Sequence, residues 1–218
     1  MELILNERMP NHATFDPGLI CNLACATCNA ESSTRWQVLR NLPIESHAFN
    51  QTVDDLDFTG IEHIVIGGGE PILHKSTHAV LEKLKHTNMR ILIHFNGTVK
   101  PSLDFLNLCS YYDDMTICFS IDGVEKHFEY LRWPGRWTTV DSNIKWIVQH
   151  APANINFAVN ITISELNRTT HTLVVDWAKT VLPNNHRITF QETNTEMSLN
   201  YFDGIDQIRG TDWRKAFA

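Results

Sequence analysis

Hydrophobic residues recur along the chain in two alternating patterns. Short runs of β-branched and aliphatic residues predict strands, and longer stretches with apolar positions three and four residues apart predict helices. The predicted strands span residues 14–20, 61–66, 91–95, 115–121, 156–163 and 187–191. The predicted helices span residues 32–42, 76–86, 102–111, 140–149 and 169–181, and a sixth covers the tail at 202–217.

This alternation predicts an α/β fold. Strands that alternate with helices form a parallel sheet with helices outside it, and right-handed crossovers place consecutive strands side by side and curl the sheet. We therefore expect a partial (βα)6 TIM-like barrel of parallel strands in a single domain over residues 1–218. In this division 1–13 is a lead-in, 14–191 the barrel and 192–218 a C-terminal tail helix. Six strands leave one side of the barrel open to a large substrate.

Four predicted strands end in polar or glycine-rich sequences. The first runs into Cys21, the second into GGGE at 67–70, the third into Asn96, and the fourth into Ser120 and Asp122. In parallel α/β folds, ligands bind at the carboxyl ends of the strands. These four motifs therefore predict one composite site.

Composition narrows the class of protein. Hydrophobic residues make up 43% and charged residues 20%, which is typical of a globular chain. Lys and Arg number 18 against 25 Asp and Glu, a net charge of −7, so general nucleic-acid binding is not expected. No apolar run reaches the ~18 residues that a membrane span needs. The start of the chain lacks the basic segment of a secretory leader, so we expect a cytoplasmic protein.

The five cysteines divide into a triplet and two isolated residues. Cys21, Cys25 and Cys28 lie within eight residues in the sequence CNLACATC, whereas Cys109 and Cys118 fall in a predicted helix and strand and are expected in the core. A clustered triplet and an odd total favour metal binding over disulfides. A [4Fe–4S] cluster on three cysteines leaves one iron open, and zinc with a histidine as fourth ligand is the alternative. Spacing alone does not decide between them.

Further motifs follow in order along the chain. They are IGGGEPIL at 66–73, FNGT at 95–98, FSIDG at 119–123 and EYLRWPGRW at 129–137. With Cys-x3-Cys-x2-Cys after the first strand and GGEP after the second, the sequence resembles the radical S-adenosylmethionine (SAM) enzymes. Residues 21–36 resemble the core of twitch-type members, which are related to peptide-modifying enzymes. The resemblance covers about residues 14–170 and favours iron–sulfur over zinc.

The resemblance implies a cofactor set and a site. The three cysteines of the triplet would bind one [4Fe–4S] cluster and, with it, carry the catalysis. S-adenosyl-L-methionine would be the second cofactor, cleaved reductively to a 5′-deoxyadenosyl radical that abstracts a hydrogen atom. The residues expected to bind it are Gly68, Gly69, Glu70, Asn96, Ser120, Asp122, Arg132 and Asn160.

The residue types suit these roles, although each has a plainer interpretation. Glycines allow close approach to a ligand, and the Glu70 carboxylate can accept from the amino group of SAM; otherwise Glu70 is an early-helix residue. Ser120 and Asp122 alternate on a predicted strand and would face the methionyl carboxylate or ribose; otherwise they are a core hydroxyl and a turn residue. Arg132 can clamp a carboxylate with two hydrogen bonds, or form a surface ion pair. Asn160 lies on the fifth strand and would reach cofactor or substrate.

Two features depart from relatives of this type. Many members have an aromatic residue just before the third cysteine, where this chain has Thr27, so adenine recognition is left to other groups. The twitch-type resemblance would imply extra cysteines for an auxiliary cluster, but the last 100 residues contain none. We therefore expect a single cluster.

The expected function is an oxidoreductase or lyase reaction on a peptide or protein, with a flavodoxin- or ferredoxin-type electron donor. Three alternatives stay open at this point. They are a small-molecule synthase of the modified-purine type, a glycyl-radical activase, and a metal-stabilised binding module without catalysis.

Overall fold

A single curled sheet organises the chain. The computed structural model describes residues 11–45, 53–85, 87–193 and 199–218. Its strands are β1 (His12–Phe15), β2 (His63–Ile66), β3 (Arg90–Phe95), β4 (Asp114–Ser120), β5 (Ile155–Ile163) and β6 (Arg187–Glu192). They pair in parallel in the order β1-β2-β3-β4-β5-β6. The partial TIM-like barrel predicted from the sequence is confirmed.

Helices surround the sheet. They are α1 (Thr34–Leu39), α2 (Lys75–Leu84), α3 (Leu103–Cys109), α4 (Glu125–Leu131), α5 (Trp137–His150), α6 (Thr172–Val181), α7 (Leu199–Arg209) and α8 (Trp213–Ala216). Two 3-10 turns, Val53–Asp55 and Pro71–Leu73, complete the regular structure of the described residues. None of the described helices is long and apolar enough to cross a membrane.

The core lies between the sheet and the helices. One face of each central strand carries bulky apolar side chains, such as Ile93 and Phe95 on β3 and Ile117 and Phe119 on β4, which pack with buried residues of the helices. Side chains alternate across a strand, so the opposite face points into the open barrel. Cys109 is buried in this core as predicted, and Cys118 is also buried, but it alternates with Ile117 and Phe119 on β4 and so lies on the face toward the barrel.

A second, smaller apolar cluster lies beside the loop that carries the cysteine triplet. Its buried members are Ala24, Ala26, Trp36, Tyr130, Leu131, Leu166, Phe202 and Ile205. They come from the cysteine loop, α1, α4, the segment after β5, and α7. The C-terminal helix α7 therefore covers one side of the cysteine loop.

The predicted elements differ most from the structure at three places. The first strand ends at Phe15, not at residue 20, because Pro17 has no backbone N–H to donate and Gly18 takes a positive φ of 129°. Helix α4 was not predicted. The tail forms two helices instead of one, because Gly210 ends α7 with a φ of 66° and Asp212 caps α8. Part of the predicted helix 76–86, residue 86, lies outside the described residues.

Candidate active site

A cavity of about 180 Å³ lies at the carboxyl ends of the strands. It brings together eight predicted residues from the cysteine loop and from the ends of β2, β3 and β4, and in addition Arg132. Those that line it are Cys21, Cys25, Cys28, Gly68, Gly69, Glu70, Asn96, Ser120 and Arg132. Asn160 lines an adjoining cavity of about 520 Å³, which shares Cys28, Ser120 and Arg132 with the first. The motifs at four strand ends thus form one composite site.

The backbone of the cysteine loop is fixed by the segment that follows α4. The amides of Ala24 and Ala26 donate to the carbonyl groups of Trp133 and Leu131, each at 2.7 Å. The indole of the buried Trp36 on α1 donates to the carbonyl of the middle cysteine at 2.9 Å. Hydrogen bonds from α1 and to the end of α4 therefore help to hold the loop in place.

The three thiols differ in their surroundings. Cys25 is buried and its Sγ lies 4.0 Å from Nη1 of Arg132, whereas Cys21 and Cys28 are half-buried. Burial raises the pKa of Cys21 to about 11 and the pKa values of Cys25 and Cys28 to about 12. A thiol must lose its proton to bind a metal, so metal binding here would release protons from all three.

Glu70 is a buried carboxyl group inside the cavity, with an exposed fraction of 2%. Its Oε2 accepts a hydrogen bond from the backbone N–H of Asn96 at 2.8 Å. Burial raises its pKa to about 8, against the lowering effect of that hydrogen bond. A cationic group that enters the cavity would lower this pKa and so favour the ionised carboxylate.

The glycine run packs against the segment that leads into Cys21. The amides of Gly69 and Glu70 donate to the carbonyl groups of Gly18 and Ile20 at 2.9 and 2.8 Å. A Cβ atom on Gly69 would lie 2.4 Å from the Ile20 carbonyl oxygen, and one on Gly68 would lie 2.2 Å from Oδ1 of Asp16. Gly68 and Gly69 are required because a side chain at either position would collide with the neighbouring segment. The same lack of a side chain also leaves room for a ligand to approach the backbone.

We expect Gly69→Ala to destabilise the protein by about 1–3 kcal/mol, because its Cβ would collide with backbone that cannot rotate away. Gly67→Ala is the matched control, since a Cβ at Gly67 meets nothing within 4 Å. Urea unfolding of both variants measures the difference. Equal stability of the two variants would contradict this reading of the glycine run.

Asn96 has both ends of its side chain engaged. Its Nδ2 donates to Oδ1 of Asn22 in the cysteine loop at 3.0 Å, and its Oδ1 accepts from the N–H and the hydroxyl of Thr98 at 2.9 and 2.6 Å. Thr98 Oγ1 in turn accepts from Asn22 Nδ2 at 2.7 Å. This network ties the end of β3 to the cysteine loop, so Asn96 orients Glu70 and the loop through its existing bonds.

Asp122 lies beyond the end of β4, so strand alternation does not decide where its side chain points. It is fully buried, its Oδ1 accepts from the N–H of Thr162 at 2.8 Å, and its Oδ2 lies 2.9 Å from Nε of Arg132. The Nε–Oδ2 pair is an ionic contact without hydrogen-bond alignment. Burial lowers the pKa of Arg132, but Asp122 and the Cys25 thiol together raise it above its usual value. Arg132 therefore lines the cavity, whereas Asp122 contacts Arg132 and does not line the cavity itself.

Ser120 and Asn160 are register partners on β4 and β5 and face the inside of the barrel. Asn160 Oδ1 accepts a hydrogen bond from the hydroxyl of Thr189 on β6 at 2.9 Å. Ser120 lines both cavities. Together they present neutral hydrogen-bonding groups next to the cysteine site.

Sequence reasoning missed two residues of this region. His94 lines both cavities, and it could have been found from β3, where it alternates with the buried Ile93 and Phe95. Burial, and then Arg132, lower the pKa of His94. Arg209 of α7 is buried with its guanidinium over the rings of Tyr130 and Trp133, and no motif in the tail indicates it.

A three-thiol loop and a buried carboxyl group at the open end of a parallel half-barrel define a cofactor site of an α/β enzyme fold. The model of the radical SAM superfamily matches residues 16–170 of the chain. The chain therefore belongs to the radical SAM superfamily.

Two relatives illustrate the sequence similarity. The antilisterial bacteriocin subtilosin biosynthesis protein AlbA of Bacillus subtilis is 32% identical over 146 residues, which cover 65% of this chain and 31% of AlbA. The 7-carboxy-7-deazaguanine synthase of Rhodopirellula baltica is 29% identical over 94 residues, covering 40% of this chain and 33% of the synthase. The chain thus spans about a third of the length of these two relatives.

Solved structures share the fold. Streptococcus suis SuiB bound to S-adenosylmethionine superposes with a TM-score of 0.60 at 15% identity, over 92% of this chain and 48% of SuiB. SuiB has also been solved bound to its precursor peptide SuiA. At this identity the similarity establishes the common fold alone.

Proposed function

We propose that this chain is a radical SAM core domain that holds one [4Fe–4S] cluster on Cys21, Cys25 and Cys28 and cleaves S-adenosyl-L-methionine reductively. The observation that carries the proposal is the single cavity that three thiols share with the buried Glu70. In this proposal residues 1–218 form one domain, with 1–13 as lead-in, 14–191 as barrel and 192–218 as tail, and the enzyme works in the cytoplasm.

The donor set fits an iron–sulfur cluster better than a single ion. Within the described ranges, no three His, Cys, Asp or Glu side chains converge around a position for one metal ion. Four sulfur or nitrogen ligands at about 2.0–2.3 Å, as zinc requires, need such convergence. Three thiols that line one cavity could each bind a different iron of a [4Fe–4S] cluster, which is larger than a single ion.

Held on Cys21, Cys25 and Cys28, a [4Fe–4S] cluster would supply the one-electron reduction that cleaves the S–C5′ bond of SAM into methionine and the 5′-deoxyadenosyl radical for hydrogen abstraction. The residues of the chain bind and orient the reactants. Glu70, its proton released to solvent, would accept hydrogen bonds from the amino group of SAM. The Asn96 N–H fixes the direction of the Glu70 carboxylate. Ser120 and Asn160 offer hydrogen bonds to the ribose and carboxylate of SAM or to the substrate.

Arg132 and the small apolar cluster support the same chemistry. Asp122 holds the guanidinium of Arg132 beside Cys25, where its charge favours the thiolate form. Phe202 and Ile205 of α7 close the outer side of the cysteine loop together with Trp36. Water and stray hydrogen donors are thereby kept from that side of the site.

A peptide or protein substrate is the proposal that the observations support best. AlbA, by its name, serves the biosynthesis of a bacteriocin, and SuiB binds a precursor peptide. In this chain the 520 Å³ cavity reaches Gln191 and Glu192 of β6, and β6 is an edge strand with all but one residue exposed. An extended substrate can enter along this side. A flavodoxin- or ferredoxin-type protein would donate the electron.

A small-molecule reaction is the second candidate, favoured by the similarity to 7-carboxy-7-deazaguanine synthase over 94 residues. The two candidates differ in what must stimulate the enzyme. If the substrate is a peptide, a precursor peptide should accelerate SAM cleavage by the reduced protein. If the substrate is a small molecule, a purine-type precursor should accelerate it instead.

Anaerobic reconstitution with iron and sulfide, followed by metal analysis, tests the cofactor assignment. We expect about four irons and four sulfides per chain, because three cysteines hold a single [4Fe–4S] cluster. One tightly bound zinc per chain, with no iron retained after gel filtration, would contradict the proposal.

A further inference from the structure

A histidine lies in the wall that the two cavities of the site share. His94 lies on β3 and alternates with the buried Ile93 and Phe95, so its side chain points into the barrel. It lines both the 180 Å³ cavity of the cysteine triplet and the adjoining 520 Å³ cavity, as Ser120 and Arg132 do. A molecule that extends from one cavity into the other therefore passes the imidazole of His94.

The imidazole of His94 is not engaged by the described part of the protein. No described group forms a hydrogen bond or an ion pair with it. By contrast, Nε2 of His74 lies 3.1 Å from the Ile20 carbonyl oxygen and so has a partner before any ligand binds. The described His, Cys, Asp and Glu side chains form no group of three that could hold a metal ion, so His94 does not join the thiols in such a group. Both of its ring nitrogens are therefore left for a ligand that enters the cavities.

The charge of His94 decides which chemical group suits it. Burial, and then the guanidinium of Arg132, lower its pKa, so the ring is neutral at neutral pH. A neutral imidazole has one N–H donor and one nitrogen acceptor. These match a hydroxyl group, which both donates and accepts, whereas a carboxylate only accepts and is better matched by the guanidinium of Arg132.

The proposed anchor for SAM lies nearby, at Glu70. Its Oε2 accepts a hydrogen bond at 2.8 Å from the N–H of Asn96, which follows His94 by two residues. Two residues of extended chain span roughly 7 Å. Glu70 lines the smaller cavity alone, whereas His94 lines both. When the amino group of SAM lies at Glu70, the sulfonium and the 5′ carbon lead from there to the ribose, which then reaches the part of the site that His94 lines.

We propose that His94 binds the ribose hydroxyl groups of SAM and so holds the nucleoside where the two cavities meet. The inference rests on the proposed function, in which Glu70 binds the amino group of the same molecule. Ser120 on the neighbouring strand lines both cavities and offers a second neutral hydrogen-bonding group. A fixed ribose orients the 5′ carbon toward the 520 Å³ cavity, where a substrate has room to bind.

The test compares H94A, H94Q and H150A with the wild-type protein, each reconstituted with iron and sulfide and kept oxidised. His150 is the control, because it is exposed at the end of α5 and lines neither cavity. Equilibrium binding of SAM and of its 2′,3′-dideoxy analogue is measured for each protein, together with iron content. The readout is the ratio of the two affinities, which a general loss of structure at the site does not move in the same way.

We expect the wild-type protein to prefer SAM over the dideoxy analogue by about 10-fold or more, because the analogue leaves polar groups of the site unpaired. In H94A this preference should shrink by about 3- to 10-fold, since one hydrogen bond to the ribose is lost. H94Q, whose amide keeps a donor and an acceptor, should retain most of the preference. H150A should match the wild type.

A wild-type protein that binds both molecules equally, or an H94A variant that keeps the full wild-type preference, would overturn the inference. H94L replaces H94A in case the alanine variant does not fold. Should both H94A and H94L fail to fold while H94Q folds, the role of His94 lies in folding and the inference is equally overturned. Failure of the wild-type protein to load iron or to bind SAM would instead reject the proposed function.

Discussion

Cys25→Ala is expected to abolish assembly of the iron–sulfur cluster and, with it, SAM cleavage. Cys25 is the buried middle thiol of the triplet, and the backbone that positions it is fixed by a hydrogen bond from Trp36 Nε1 to its carbonyl at 2.9 Å. The loss of one of three ligands leaves an iron without a protein donor in a site that has no spare thiol. Iron content after gel filtration should fall to background, and the visible absorbance of the cluster should vanish.

Cys109→Ala provides the control. Cys109 is a buried thiol of α3 in the main core, away from the cavity, so its loss should reduce stability slightly and leave iron content unchanged. Wild-type iron content in Cys25→Ala would remove Cys25 from the ligand set, and equal loss in both variants would point to misfolding as the cause.

Glu70→Gln is expected to weaken SAM binding by about 10- to 100-fold while the cluster still forms. A hydrogen bond between a carboxylate and a cationic amine is worth about 1.5–3 kcal/mol, and a neutral amide provides much less. Equilibrium binding of SAM to the reconstituted, oxidised protein measures the change. Glu82→Gln, on the exposed side of α2, is the control and should bind SAM as the wild type does. Unchanged affinity in Glu70→Gln would contradict the role of this carboxylate.

The same residue gives the metal-free protein a distinctive pH dependence. Burial raises the pKa of Glu70 from 4.5 to about 8, so the folded protein holds this proton where the unfolded chain has released it. Between these two pH values the folded state binds more protons, and its stability therefore falls as pH rises, on the order of a few kcal/mol over the range.

Urea unfolding at pH 5.5 and pH 8 measures this loss of stability. The wild-type protein should lose more stability over this interval than Glu70→Gln, in which the titrating group is absent. An identical loss in both proteins would show that Glu70 ionises normally in the fold.

Much of the fold follows from local patterns in the sequence. The spacing of apolar residues predicts six strands with a helix between each pair. The glycine-rich and polar strand ends meet because the carboxyl ends of parallel strands lie at one edge of the sheet. The cavity accordingly gathers Cys21, Gly69, Glu70, Asn96 and Ser120 as expected. These positions are predictable because each is fixed by its own strand end.

What the sequence does not show depends on contacts between distant segments. Asp122 was expected to face a ligand, but it lies past β4 and pairs with Arg132. The side chain of Asn96 bonds to Asn22, which is 74 residues away. Arg209 lies over the rings of Tyr130 and Trp133 only because α7 packs beside the cysteine loop. Local hydrophobic patterns and short motifs do not predict such contacts between distant residues.

The most direct test of the account is the product of SAM in the reduced protein. Reconstituted protein, reduced anaerobically with dithionite and given SAM, should form 5′-deoxyadenosine and methionine in equal amounts, detectable by liquid chromatography and mass spectrometry. Cys25→Ala should form neither. A wild-type protein that carries about four irons per chain, binds SAM and yet forms no 5′-deoxyadenosine would contradict the claim that this site cleaves it.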